Sequence, residues 1–305
     1  MSKEIKIVEV GPRDGFQSIS TSCGIIPTEI KVKYIDKLVD AGLKSIQYSS
    51  FVSPKAIPQL ADAKALTEIV LKKYPNVDLY TLVPNLRGAK DAVALGVKKV
   101  AYVVSFSETH NKANINRTHQ QSLDAYKEIK CECPDLNIDV NFATALGCPF
   151  EGKYYEPEEF LEFMQTYVDE GIQSATIADT IGIADPRQVK KFITAIKKEF
   201  PNLELGVHFH DTRGLGMANS LTALEAGVNK IEAALGGLGG CPFAPGASGN
   251  LATEDLVYAL TEMGYETGIN FEKLVLAAKE EKEDIKGNYS GHHINIEKIS
   301  EIRKL

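Results

Sequence analysis

The sequence predicts an α/β protein built as a (β/α)8 TIM barrel with extra C-terminal helices. Three observations carry that prediction. Strand-like and amphipathic segments alternate strictly through eight pairs. Glycines at 42, 96, 171, 227 and 264 stand where the helices should stop. No G-x-G-x-x-G phosphate turn follows the first strand, where Gly11-Pro12-Arg13-Asp14-Gly15 stands instead. The later glycines Gly214, Gly216, Gly237, Gly239 and Gly240 also miss that spacing, which sets the doubly wound open sheet aside.

The strands are read from short apolar or β-branched runs at 5–10, 45–51, 78–83, 99–105, 138–144, 174–179, 203–210 and 230–236. The first helix, 28–41, carries Ile30, Tyr34, Ile35, Leu38 and Val39 as a stripe with three- and four-residue spacing. Similar stripes place helices near 57–73, 86–95, 118–130, 157–170, 187–199, 215–226 and 252–263. In four of the eight units a tripeptide A-G-L, L-G-V, E-G-I or A-G-V leads into the next strand. The whole chain, 1–305, reads as one barrel domain. Residues 237–250 form an active-site lid loop, and 268–305 a helical extension whose polar tail, with His292 and His293, has no functional reading.

Bulk properties narrow the function classes. With 305 residues and an apolar fraction of 44%, the chain can bury a sizeable core. Its net charge of −7 argues against nucleic acid as a partner. No apolar run approaches the ~20 residues of a membrane helix, so no membrane partner is expected. The start, MSKEIKIVEV, enters a strand at once without a signal or transit peptide, so a cytoplasmic location is expected. Five scattered cysteines do not make a disulfide framework, and Cys131-Glu132-Cys133 has no second pair for a zinc site.

Barrel enzymes carry their working residues where strands end. Those positions hold Arg13 and Asp14 after the first strand, Asp179 after the sixth, and His208, His210 and Asp211 at the seventh. Cys241 and Asn250 sit in the glycine-rich loop after the eighth. Alternation along a strand puts His208 and His210 on one face, within reach of one cation. Taken singly, each residue has an ordinary role: packed histidines, a turn aspartate before Gly15, an asparagine N-cap near Ala252. Together one carboxylate, two imidazoles and one amide suit a divalent cation, Mg2+ or Mn2+, with positions open for substrate. Arg13 offers a guanidinium fork beside that cation, and Cys241 a thiol in a mobile loop.

VEVGPRDGFQ (8–17), FVSP (51–54), ALGCPFEGK (145–153), ADTIG (178–182), HFHDT (208–212) and GLGGCPFAPGASGNLATEDLVYAL (237–260) closely resemble the hydroxymethylglutaryl-CoA lyases, over about residues 4–275. The resemblance implies a metal-dependent enzyme that cleaves a 3-hydroxyacyl-CoA substrate into acetyl-CoA and a keto product. It also implies Asp14, His208, His210 and Asn250 as metal ligands and Arg13 as the enolate stabiliser. Cys241 would transfer a proton, and Asp179 would be a further active-site carboxylate. Either Asp179 or His208 would take the hydroxyl proton. A homodimer is the expected assembly.

The chain departs from the family where a glutamate ends the second strand, having Gln47 followed by Tyr48 in place of threonine. Arg213 stands where a tyrosine follows H-D-T, and Ser18 to Ser20 replace N-E-K. Gln47, Tyr48 and Arg213 therefore become the expected substrate-specificity residues. Three readings follow: a hydroxymethylglutaryl-CoA lyase, a sister lyase for a related ester such as citramalyl-CoA, and, ranked last, a non-catalytic acyl-CoA-binding paralogue.

Overall fold

The computed structural model describes residues 5–152, 155–240 and 249–297. Eight parallel strands close in sequence order: β1 (Lys6–Glu9), β2 (Ser45–Ser50), β3 (Asp78–Leu82), β4 (Lys99–Ser105), β5 (Asn137–Ala143), β6 (Ser174–Asp179), β7 (Glu204–Phe209) and β8 (Lys230–Ala233). The seam is made by β1 against β8, with Lys6 opposite Lys230 and Glu9 opposite Ala233. Around the barrel lie α1 (Thr28–Asp40), α2 (Ala63–Lys73), α3 (Leu86–Ala94), α4 (Glu108–Ile115), α5 (His119–Glu132), α6 (Pro157–Val168), α7 (Pro186–Glu199), α8 (Gly216–Glu225), α9 (Thr253–Glu262) and α10 (Phe271–Asp284).

The expected TIM barrel is present, with each expected strand and helix close to its place. The helix expected over 57–73 is broken, into a 3-10 turn at Pro58–Leu60 and α2 from Ala63. One helix, α4, has no counterpart in the sequence reading. Its ETHNKANI has almost no apolar stripe, and it is held instead by its ends. The Ser107 side chain accepts from His110 N, and Asn116 closes the helix with a left-handed φ of 53°. In the C-terminal extension, α10 is followed by a 3-10 turn at His293–Asn295.

Two cores result from strand alternation. Outward-facing residues such as Ile46, Tyr48, Phe142, Ile177, Val207 and Ile231 pack under the helices in one large apolar cluster. Among the described residues, Val8, Val10, Tyr80, Ala101 and Ala234 form a separate small apolar group inside the barrel, with Leu82 packed against it. Polar side chains share that interior, among them Asp139, Ser174, Thr176, Lys230 and Glu232. Near the N-terminal ends of the strands, Lys230 Nζ lies 3.0 and 2.9 Å from the two Asp139 oxygens and 2.8 Å from Ser174 Oγ. A buried ion pair with its donors satisfied closes that end, which directs attention to the opposite mouth.

Candidate active site with a metal centre

β1 leads into a tight turn, Gly11–Gly15, all of it buried. Asp14 N donates to Val10 O at 2.7 Å, so the turn folds back over the strand end. The inner face of β7 supplies His208, and His210 follows just past the strand. The backbone of His210 bridges that of Asn250 in antiparallel fashion. Asp211 N donates to Gly249 O at 3.1 Å, which brings the far end of the β8 loop to β7. That loop is pinched at its base. A Cβ on Gly249 would lie 2.3 Å from Gly239 Cα, so the approach needs glycine. The loop's glycines, read from sequence as a sign of mobility, thus also serve close packing. Cys241 lies outside the described residues.

The turn, the strand and the loop bring together Asp14, His208 and His210, whose ligand atoms all lie within 4.8 Å of one another. All three are buried, as is Asn250. Asn250 Nδ2 donates to Asp14 Oδ2 at 2.8 Å and to Leu238 O at 3.1 Å, while its Oδ1 has no partner. A buried acceptor without a partner costs free energy unless something fills the gap. A hard divalent cation fits that gap, and the oxygen and imidazole donors fit the cation. The N-cap alternative for Asn250 does not hold, since Ala252 caps α9.

The charge states suit a cation as well. Burial, reinforced by the neighbouring His208, pushes His210 down to about 4, so its imidazole is neutral and able to ligate at pH 7. For Asp14, burial pushes the carboxyl up. Arg13, His208, His210 and the Asn250 amide outweigh it and hold the group well below the usual carboxylate range. Arg13 is itself buried, with Nε donating to Gln47 Oε1 and Nη1 to Asp14 Oδ1. Gln47 therefore replaces the expected glutamate as the acceptor for Arg13. Its Nε2 is buried without a partner.

Three residues lie elsewhere than expected. Tyr48 sits where the β2–β3 register shifts between Gln47 and Ser49. It packs outward in the helix-facing core, its hydroxyl 3.1 Å from Thr67 on α2. The expected specificity role for Tyr48 is corrected accordingly. Asp179 shares the outer face of β6 with Ile177, and its oxygens accept from Ile183 N at 3.1 Å and Ala184 N at 2.9 Å. It closes its own loop, away from the cluster of Asp14, His208 and His210. Arg213 is exposed and donates to Ile181 O at 2.8 Å and Gly182 O at 3.1 Å, tying that same loop.

Glu232 on β8 is not among the residues expected from the sequence; its Oε2 lies 2.8 Å from His208 Nδ1. Two charged residues two apart on the same strand face, Lys230 and Glu232, are the signal that points to a polar barrel interior. The C-terminal tail also meets the site. The Ser290 hydroxyl lies 3.2 Å from Gly237 O and 3.3 Å from Asn250 O, one at each end of the loop. His292 and His293 anchor this tail, their Nδ1 atoms 2.7 and 2.5 Å from the Asp255 oxygens.

Beside the loop, Glu254 Oε2 accepts from Gly236 N at 2.9 Å. Burial, and then Asp255, raises its carboxyl from 4.5 to about 8, and burial raises Glu9 from 4.5 to about 7. These groups hold protons in the folded state that the unfolded chain releases above pH 4.5. Their contribution is fully present below pH 4.5 and is lost as pH rises through 7 and 8. Melting temperature should therefore fall over that window in the wild type and fall less in Glu254→Gln. Parallel pH series of thermal melts measure this, and equal slopes would remove Glu254 as a cause.

A closed parallel barrel whose C-terminal mouth gathers Asp14, His208, His210 and Asn250 beside a buried arginine defines a barrel enzyme with a candidate metal centre. The HMGL-like family model matches residues 4–280, and the chain belongs to that family. Mitochondrial hydroxymethylglutaryl-CoA lyase of Bos taurus is 45% identical over 278 residues, 90% of this chain and 84% of that protein. The cytoplasmic 3-hydroxy-3-methylglutaryl-CoA lyase of Homo sapiens is 41% identical over 277 residues, 90% of this chain and 73% of that protein. Among solved structures, an HMG-CoA lyase from Acinetobacter baumannii in complex with coenzyme A and 3-methylmalate superposes with a TM-score of 0.91 at 38% identity. That match covers 99% of this chain and 98% of the other.

Proposed function

We propose that this protein is a hydroxymethylglutaryl-CoA lyase-like carbon–carbon lyase, which cleaves a 3-hydroxyacyl-CoA into acetyl-CoA and a keto acid. The observation that carries the reading is the convergence of Asp14, His208 and His210 beside Arg13 and the unpartnered Asn250 oxygen. These four ligands would hold Mg2+ or Mn2+. When bound, the cation supplies Lewis-acid polarisation of substrate oxygens and acidifies the 3-hydroxyl. Arg13, fixed by Gln47 and Asp14, keeps Nη2 for the oxygen that becomes the acetyl-CoA enolate. Cys241 donates its thiol proton to the enolate carbon, and the proton released from the 3-hydroxyl restores the thiol, so protons balance over a turnover. A cytoplasmic location, as in the cytoplasmic human relative, and a homodimer belong to the same proposal. Among the described residues no helix is long and apolar enough to cross a membrane.

Release of acetyl-CoA from hydroxymethylglutaryl-CoA and citramalyl-CoA, with chelator and after Mg2+ or Mn2+ is restored, tests this reading. Activity is expected to vanish and return with the metal. Full turnover by metal-free protein, or no cleavage of either ester, would end it.

Gln47 favours a second reading, a sister lyase for a related ester such as citramalyl-CoA. Gln47 holds Arg13 through one neutral acceptor and buries an unpartnered N–H, where a glutamate would bring a second acceptor and a negative charge. Arg13 is then less neutralised, which alters what the site accepts. Gln47→Glu should raise kcat/KM for hydroxymethylglutaryl-CoA relative to citramalyl-CoA by about tenfold, since a charge-assisted hydrogen bond is worth ~1.5–3 kcal/mol. Should the wild type cleave hydroxymethylglutaryl-CoA well and Gln47→Glu leave the preference unchanged, the sister-lyase reading loses its support.

A further inference from the structure

We infer that Glu232 is a positioning residue for the metal centre: it fixes which nitrogen of His208 carries the proton, and Tyr80 holds it in place to do so. Glu232 lies on the inner face of β8, with its side chain wholly buried. Its Oε2 is 2.8 Å from His208 Nδ1 on β7, and its Oε1 accepts from the Tyr80 hydroxyl on β3 at 3.3 Å. A carboxylate only accepts, so the imidazole nitrogen facing it must be the one that bears hydrogen. That leaves the Nε2 lone pair of His208 for the site shared with Asp14 and His210.

Three strands thus converge on one carboxylate. Its neighbours along the inner face of β8 are Lys230, occupied with Asp139, and the small Ala234. Neither competes for the oxygens of Glu232. Tyr80 is fully buried, and burial, followed by the charge of Glu232, raises its phenol well above the ordinary value. The hydroxyl stays protonated and donates. With one oxygen held from β3, the other has a fixed direction toward β7. Without that restraint a neutral imidazole in this pocket could carry its proton on either nitrogen, and one of the two forms has no lone pair to offer at Nε2.

The function of Glu232 rests on the metal-centre reading, whereas the tautomer of His208 does not, so the test reads both. Long-range 1H–15N correlation spectra of metal-free, 15N-histidine-labelled protein, assigned against His208→Asn, report the tautomer directly. The wild type is expected to show His208 protonated on Nδ1. In Glu232→Gln the amide N–H can face Nδ1 instead, so the Nε2–H form should appear. Mn2+ affinity, from titration of free Mn2+ by electron paramagnetic resonance, should then fall by about 10–100-fold. Tyr80→Phe keeps the carboxylate and should retain the Nδ1–H form, with a smaller loss of affinity.

An Nε2–H tautomer in the wild type overturns the assignment, and that measurement stands even if Glu232→Gln does not fold. Unchanged tautomer and Mn2+ affinity in a folded Glu232→Gln overturns it as well. A wild type with the expected tautomer and no Mn2+ binding would instead bring down the metal-centre reading.

Discussion

His210→Ala should lose tight Mn2+ binding and at least about 10³-fold in kcat/KM, while remaining folded. A bound cation contributes several kcal/mol of transition-state charge stabilisation, and ~4 kcal/mol at 1.36 kcal/mol per decade is about 10³. The fold should survive for an electrostatic reason. Burial keeps His210 neutral, so its removal leaves no orphaned partner charge. Asp14 stays held by Arg13, by Gln17 Nε2 at 2.9 Å and by Asn250 Nδ2 at 2.8 Å. The histidine contributes a ligand atom more than it contributes an ion pair, its Nε2 being 4.0 Å from Asp14 Oδ2. Circular dichroism, Mn2+ titration and steady-state kinetics on one preparation decide the point. A folded variant with wild-type Mn2+ affinity would remove His210 from the ligand set.

Much of this site is legible in one dimension because strand periodicity is a local rule. His208 and His210 share a face by alternation alone, and the barrel class then says which end of the strand matters. The failures come where alternation itself turns a side chain outward, where a local signal is missing, or where the partner is remote. Tyr48 follows the alternation set by Ile46 two residues before it, and that places it in the outer core, where its hydroxyl meets Thr67 on α2. Asp179 follows the alternation faithfully, and that places it outside the barrel, where its loop's N–H groups take it. For α4 the apolar stripe is absent, so only its caps mark it. The remaining omissions are pairings across the chain. Tyr80 meets Glu232 from 152 positions away, and Ser290 meets Asn250 from 40. Nothing local in the tail G-N-Y-S-G-H-H hints that it clasps the loop.

Arg13→Lys should keep Mn2+ bound yet lower kcat by about 10²–10³, the loss typical when one donor aimed at a developing oxyanion is removed. Lysine retains the charge, so the expected effect isolates geometry. The guanidinium uses Nε for Gln47 and Nη1 for Asp14, which fixes its plane and aims the third nitrogen group. An ammonium at the end of a flexible stem can satisfy one of those partners at most and then has no fixed direction for substrate. Metal affinity should be little changed at neutral pH, because a positive charge still stands beside Asp14. In Arg13→Met that charge is gone, and burial then acts on Asp14 with less opposition, so its carboxyl rises. Protons will compete with the cation from a higher pH, and the acid limb of Mn2+ binding should move upward in Arg13→Met but not in Arg13→Lys. Substrate KM should change less than kcat in Arg13→Lys, since the interaction at stake forms only as the enolate develops. Wild-type kcat in Arg13→Lys would show that the fork is not the stabiliser. Equal Mn2+ pH profiles in all three proteins would show that Arg13 does not set the ionisation of Asp14.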